Sequence, residues 1–285
     1  KSFDNKQGIN LRQKEAHFMY RSRPETFDDA HLSFDFAMKN AVYTQASGPL
    51  PEKVKKTLKK FLILMEKTIP PTSSMVPVVR DLLTNFETVA ADSTGLNDIM
   101  AKNPPPIPVG KWSPASLEHG TGYSAGLWIL FHIMSIGLIE WNIKLAMNVD
   151  ERHKELISPA QMADTLRDYI EHFFQCEVCR VNFLADYDSC LYDRCSRLVN
   201  TAQSGTIQEF IQYPLWLFET HNAVNVRLRK ERINDPQRTG DTDEALSATE
   251  AEVVWPPVAS CPTCWLSEGR WDERSEEHTS ELQSR

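Results

Sequence analysis

No stretch of the 285 residues supplies the roughly eighteen consecutive apolar side chains that mark a membrane span. The nearest run, "LWILFHIMSIGLI" at 127–139, reads instead as a buried helix. The opening "KSFDNKQGINLRQKEAHF" lacks an initiator methionine and an apolar signal region, so the chain is expected to be a processed or trimmed piece whose targeting information lies elsewhere. Asn-x-Ser/Thr acceptors are missing, so glycosylation lends nothing to a secretory reading. Positive charge is not in excess: 31 Lys and Arg against 39 Asp and Glu leave a net charge of -8, which argues against a general binder of phosphate backbones. Neither an internal repeat nor sustained strand alternation occurs, and an all-α helical bundle is the expected fold.

What is present suffices for a core without any metal or disulfide, since 41% of the residues are hydrophobic. The clearest helix lies over 51–69, where Val54, Leu58, Phe61, Leu62 and Met65 recur at helical spacing and the lysines at 53, 55, 56, 59 and 60 form a solvated face. A second covers 76–90 and stops before "ADSTG". Further helices are expected over 123–148, 159–174, 176–188 and 206–230. Ser158, Pro159 and Gln161 form one capping start, and Thr206 with Glu209 another; Pro214 should kink the last helix. The proline-rich "NPPPIPVGKWSP" at 103–114 continues neither helix nor central strand, and the domain border is placed there, near 105/106.

Six cysteines fall in three close pairs, all beyond residue 110: Cys176/Cys179, Cys190/Cys195 and Cys261/Cys264. The two Cys-x-x-Cys pairs have a spacing that permits a tetrahedral zinc site. They lack turn-rich knuckles, however, and Cys176 opens a helix, where backbone N–H groups and the positive dipole end stabilise a thiolate. Arg180 adds positive charge nearby. A redox-active dithiol is favoured over zinc or an inert staple, and all three remain open. Trp128 and His132, four apart, share a helix face, as do His221 and Asn225. Such faces hold a heterocycle by stacking and hydrogen bonding, although each residue alone is commonly a core residue.

Taken together, "GLWILFH" (126–132), "CEVC" (176–179) and "WLFETHNAVNVRLRK" (216–230) resemble the flavin-binding signature of Erv/ALR-type sulfhydryl oxidases. "VVWPPVASCPTC" (253–264) resembles the extra C-terminal pair of the quiescin sulfhydryl oxidases, larger members with a thioredoxin module upstream. The resemblance implies helices cradling FAD over 106–270 and a flavin-free Erv-like helical region over 1–105, while the polar ending reads as a flexible tail over 271–285. It implies a thiol oxidase that forms disulfides and reduces dioxygen to hydrogen peroxide. Cys176 would exchange with the electron donor and Cys179 would face the flavin. Trp128, His132, Phe218, His221, Asn222, Asn225, Lys230 and Trp255 would contact the cofactor, joined by Asn182, which stands where a histidine is common. Thr121 occupies the place of an expected arginine, and Glu252 that of a basic phosphate contact. Cys261/Cys264 would be the distal pair, and Cys190/Cys195 a lineage-specific staple of a protist or kinetoplastid kind.

Implied partners are thiol-bearing proteins or small dithiols, dioxygen and an upstream thioredoxin-like domain absent from this chain; no nucleic acid and no membrane span in this fragment are expected. The implied location is the secretory pathway: endoplasmic reticulum, Golgi or secreted. A zinc-stabilised helical interaction module using the Cys-x-x-Cys pairs is the alternative from another functional class.

Overall fold

The computed structural model describes residues 23–43, 48–108, 110–113, 116–117, 122–147, 156–200, 206–234, 253–254, 266 and 272. The fold is an all-α helical bundle. Its chain divides into two compact units, residues 1–151 with 164–181 and residues 152–163 with 182–285.

The first unit contains α1 (Arg23–Ala41), α2 (Glu52–Thr68), α3 (Met75–Thr84), α4 (Phe86–Ala91), α5 (Ser93–Lys102) and α6 (Tyr123–Met147). On α2 the expected stripe faces inward: Leu58, Phe61, Leu62 and Met65 are buried and Val54 half-buried, while Lys53, Lys56, Lys59 and Lys60 are exposed. The helix expected over 76–90 breaks at Asn85, whose φ and ψ of -106° and 28° leave the helical region. As expected, the helical run ends at "ADSTG", α4 stopping at Ala91; the same stretch also starts α5, because the Asp92 side chain accepts the Gly95 N–H at 2.9 Å as an N-cap.

The helix α6 is apolar around most of its circumference and lies against α1 and α2. Two glycines allow the approach. A Cβ on Gly126 would collide with the Ser33 hydroxyl and the Asp29 carbonyl, and one on Gly137 would collide with the Thr68 backbone. By length and composition α6 is long and apolar enough to cross a membrane, the only such helix among the described residues; its glycine contacts are those of a core helix. The segment leading into it is fixed by a buried carboxylate. Asp29 accepts the Ser113 N–H at 2.8 Å, the Ser113 hydroxyl at 2.5 Å and the Ser116 hydroxyl at 2.6 Å. Pro104–Pro106 fall within the first of the two compact units.

The division between units passes through α7 (Pro159–Phe173) and α8 (Glu177–Asp188). In the second unit follow a short 3-10 turn (Leu191–Asp193), α9 (Arg194–Arg197), α10 (Ile207–Phe210) and α11 (Gln212–Asn234). The Ser158 hydroxyl accepts the Gln161 N–H at 3.0 Å, capping α7 as expected. Thr206 and Glu209 make the full reciprocal capping box. The discontinuity attributed to Pro214 falls at Ile211, between α10 and α11, because proline lacks an N–H and its ring crowds the carbonyl four residues earlier, that of Phe210.

Candidate active site

In the first unit Cys176 and Cys179 are joined in a disulfide with Cα atoms 5.2 Å apart. Cys176 sits immediately before α8, its carbonyl accepting the Arg180 N–H at 2.9 Å and its Sγ accepting the Cys179 N–H at 3.3 Å. A sulfur in the N-cap position is where helix N–H groups stabilise negative charge, so the backbone here favours a thiolate when the bond opens. Cys176 is exposed and Cys179 half-buried. Val178 and Val181 beside them are also exposed, at 59% and 57%. The approach to the pair is held from both sides. Gln175 Nε2 donates to the Asn40 carbonyl at 2.5 Å, and Arg180 donates to the Phe174 carbonyl at 3.1 Å, which ties the guanidinium to the backbone ahead of the pair.

An aromatic wall stands in the same unit. Phe174 stacks on Tyr123 at 6.0 Å, Tyr123 meets Phe36 at 4.7 Å, and Tyr169 contacts Phe61, Phe131 and Phe173. Trp128 and His132 lie near-parallel, with ring centroids 6.2 Å apart, as their spacing on α6 requires, and both are half-buried. The hydroxyls of Tyr123 and Tyr169 are buried without a hydrogen-bond partner. Burial drives both phenols well above their ordinary pKa, so each stays a neutral donor. His172 is lowered from its ordinary value by burial, with the neighbouring Glu171 carboxylate opposing. Orphaned donors against aromatic rings are what a polar, planar ring system would satisfy.

The second unit carries the other expected contacts. Phe218, His221 and Asn225 are half-buried on α11, Asn222 is buried, and Lys230 is exposed near the helix end. Asn225 Nδ2 donates to the Val253 carbonyl at 3.4 Å. Asn182 on α8 is half-buried. Thr220 Oγ1 and Arg227 Nε are buried without a hydrogen-bond partner on the same α11. Burial raises Asp186, an effect that Arg227 opposes. Trp255, Cys261 and Cys264 lie outside the described residues. A second disulfide, Cys190–Cys195, closes the turn after α8, its Cα atoms 5.4 Å apart. Sequence reasoning overlooked Arg194, whose Nη2 lies 3.2 Å from the Cys195 sulfur; an arginine adjoining a cysteine was the available signal. Among the described residues no cluster of three His, Cys, Asp or Glu could hold a metal ion.

Residues 125–244 match the Erv1 / Alr family model. The chain is 24% identical over 281 residues to sulfhydryl oxidase 2 of Arabidopsis thaliana, covering 86% of this chain and 49% of that protein. It is 30% identical over 146 residues to sulfhydryl oxidase 1 of the same plant, covering 51% and 21%. Sulfhydryl oxidase 1 of Oryza sativa subsp. japonica is 30% identical over 163 residues, 56% of this chain and 25% of that protein. The chain thus spans about half or less of the length of these relatives. Among solved structures, the sulfhydryl oxidase fragment of human QSOX1 superposes with a TM-score of 0.57 over 90% of this chain and 91% of that one. At 16% identity that likeness establishes the fold alone.

Proposed function

Because residues 125–244 are an Erv/ALR-family thiol-oxidase domain homologous to the sulfhydryl oxidases, we propose that this chain is an FAD-dependent thiol oxidase of the quiescin type whose working pair is Cys176–Cys179. The observation that carries the reading is the exposed Cys176 sulfur at the N-cap of α8, bonded to a less exposed Cys179. A donor thiolate attacks Cys176 Sγ, the S–S bond breaks, and Cys179 leaves as a thiolate. The donor's second thiol then displaces Cys176 from the mixed disulfide, so the donor departs oxidised and the pair holds two electrons and two protons. Bound FAD supplies the passage from two-electron thiol chemistry to reduction of dioxygen to hydrogen peroxide.

The chain's own residues fit that cofactor. Trp128 and His132 offer a stacked indole and imidazole, and the Tyr123 and Tyr169 hydroxyls are buried donors in want of acceptors. Asn182, Phe218, His221, Asn222, Asn225, Lys230 and Trp255 keep the cofactor-contacting roles assigned by resemblance, and Cys261/Cys264 the distal one. A thioredoxin-like electron donor, the secretory pathway as location, and the ancestry of 1–105 as a flavin-free Erv-like region belong to the same proposal. Assayed in the absence of such a donor, residues 1–285 should oxidise small dithiols readily and reduced proteins slowly.

The test is a visible spectrum and metal content of the purified chain, followed by oxygen consumption with a small dithiol. Stoichiometric zinc without flavin absorption would support the zinc-stabilised interaction module and sink the oxidase. Loss of flavin reduction in Cys195→Ser together with its retention in Cys179→Ser would move the redox centre to the other disulfide.

A further inference from the structure

The turn that joins α8 to α9 is built around a cation, the Arg194 guanidinium. The Arg194 Cζ lies over the Tyr187 ring, 3.7 Å from its centroid, and the Arg194 Nε donates to the Tyr187 carbonyl at 3.0 Å. That anchorage places Nη2 at 3.2 Å from Cys195 Sγ and 3.9 Å from Cys190 Sγ. Among the described residues no carboxylate lies within ion-pair distance of this guanidinium. A disulfide is neutral and offers it no counter-charge. Reduction would create one, because a thiolate on either sulfur pairs with the waiting cation.

The backbone adds a second bias. Cys190, Tyr192 and Asp193 have φ of 61°, 53° and 59°, the left-handed region that residues with a Cβ avoid. The bond between Cys190 and Cys195 spans this turn, so its opening frees the turn to relax. We propose that Cys190–Cys195 is an exchangeable disulfide, a second thiol-exchange site that accepts electrons from a dithiol donor, rather than the inert staple expected from its sequence. Strained or exposed disulfides have the higher reduction potentials and are the ones that exchange, whereas structural disulfides resist reduction.

The chemistry is balanced by the donor. Its thiolate attacks Cys195 Sγ, the exposed sulfur of the two; the S–S bond breaks, and Cys190 leaves as a thiolate beside Arg194. The donor's second thiolate attacks its own sulfur in the mixed disulfide, Cys195 is released, and the donor leaves as a disulfide. Two electrons have entered the turn. Exchange is felt on α11, because Leu191 lies within the loop closed by the disulfide and its carbonyl accepts the Trp216 indole N–H at 3.1 Å. This inference does not depend on the flavin reading.

The test equilibrates the full chain in graded thiol–disulfide buffers of a small dithiol, traps thiols by alkylation and counts Cys190 and Cys195 by mass spectrometry. The pair should open at donor ratios that leave ordinary structural disulfides closed. Arg194→Gln should lower the reduced-to-oxidised ratio roughly tenfold, the factor carried by one unit of thiol pKa, and Arg194→Lys should restore part of it. A pair that stays closed in every such buffer, or an Arg194→Gln protein indistinguishable from the parent, overturns the proposal. Should that variant not fold, alkylation of the reduced parent against pH decides. A Cys195 thiol titrating below the ordinary value of about 8.5 sustains the proposal, and one at or above it refutes it. Faster hydrogen exchange over residues 212–220 on reduction, in protein free of flavin, is the accompanying expectation.

Discussion

Replacing Asp29 by alanine should unfasten the segment that leads into α6. The carboxylate is 1% exposed, and its partners are the Ser113 N–H and the hydroxyls of Ser113 and Ser116. Hydrogen bonds to a charged group contribute about 1.5–3 kcal/mol each, and dehydrating the carboxylate offsets several kcal/mol of their sum. In Asp29→Ala the buried charge disappears with its bonds, but the Ser113 N–H is left without an acceptor. The expected loss is about 3–5 kcal/mol. For a chain of this size about 2–4 °C of Tm follows each kcal/mol, so calorimetry should record a fall of roughly 6–20 °C. Asp29→Asn keeps one acceptor oxygen and should lose less, about 1–3 kcal/mol. Combining Asp29→Ala with Ser116→Ala should cost less than the two changes added separately, because they remove one shared bond. An Asp29→Ala protein melting within 2 °C of the parent, a spread of about 1 kcal/mol, would refute the argument.

Other outcomes follow from single sites. His31 is 2% exposed and shares a 2.8 Å hydrogen bond with Ser74, and burial lowers its pKa to about 4. The unfolded chain therefore binds the proton more readily. Its contribution to stability is full above pH 6.5 and is lost on acidification towards pH 4, by roughly 3 kcal/mol. Denaturant melts of the parent and of His31→Asn across that range should differ in slope, and parallel profiles would contradict the assignment. Gly137→Ala sets a methyl group against the Thr68 backbone and should cost about 1–3 kcal/mol or more in the same melts. Thr206→Ala removes the capping box of α10 and should cost about 1 kcal/mol, seen as faster hydrogen exchange over 207–211.

The elements most legible in the sequence were those whose signals are local. The Leu58, Phe61, Leu62 and Met65 stripe of α2 and the Thr206–Glu209 box lie within a few residues of one another, and both formed as read. The helix α1 was obscured because it is buried on every side over residues 29–35 and sets Asp29, His31, Ser33 and Asp35 among its apolar side chains, so no apolar stripe marks it. Those polar groups find partners as distant as Ser74, Trp112 and Ser116, and no window of the chain displays such pairings. At the candidate site, the shared face of Trp128 and His132 was legible from spacing alone, whereas the spacing of Cys176 and Cys179 left zinc, staple and redox pair open until the structure joined them in a disulfide. The seat of Arg194 beside the Cys195 sulfur was not legible, since the turn has left-handed backbone at Cys190, Tyr192 and Asp193, where residues other than glycine give no warning. The orphaned hydroxyls of Tyr123 and Tyr169 were equally invisible: burial without a partner is a property of packing.

The central claim is that electrons enter through Cys176–Cys179 and leave through flavin. Anaerobic mixing of the FAD-loaded chain with one equivalent of a small dithiol, followed at the flavin's visible absorption band, tests it most directly. The account predicts bleaching in the parent and its loss in Cys179→Ser, with FAD still bound in the variant. A Cys179→Ser protein whose flavin bleaches at the parent's rate would contradict it.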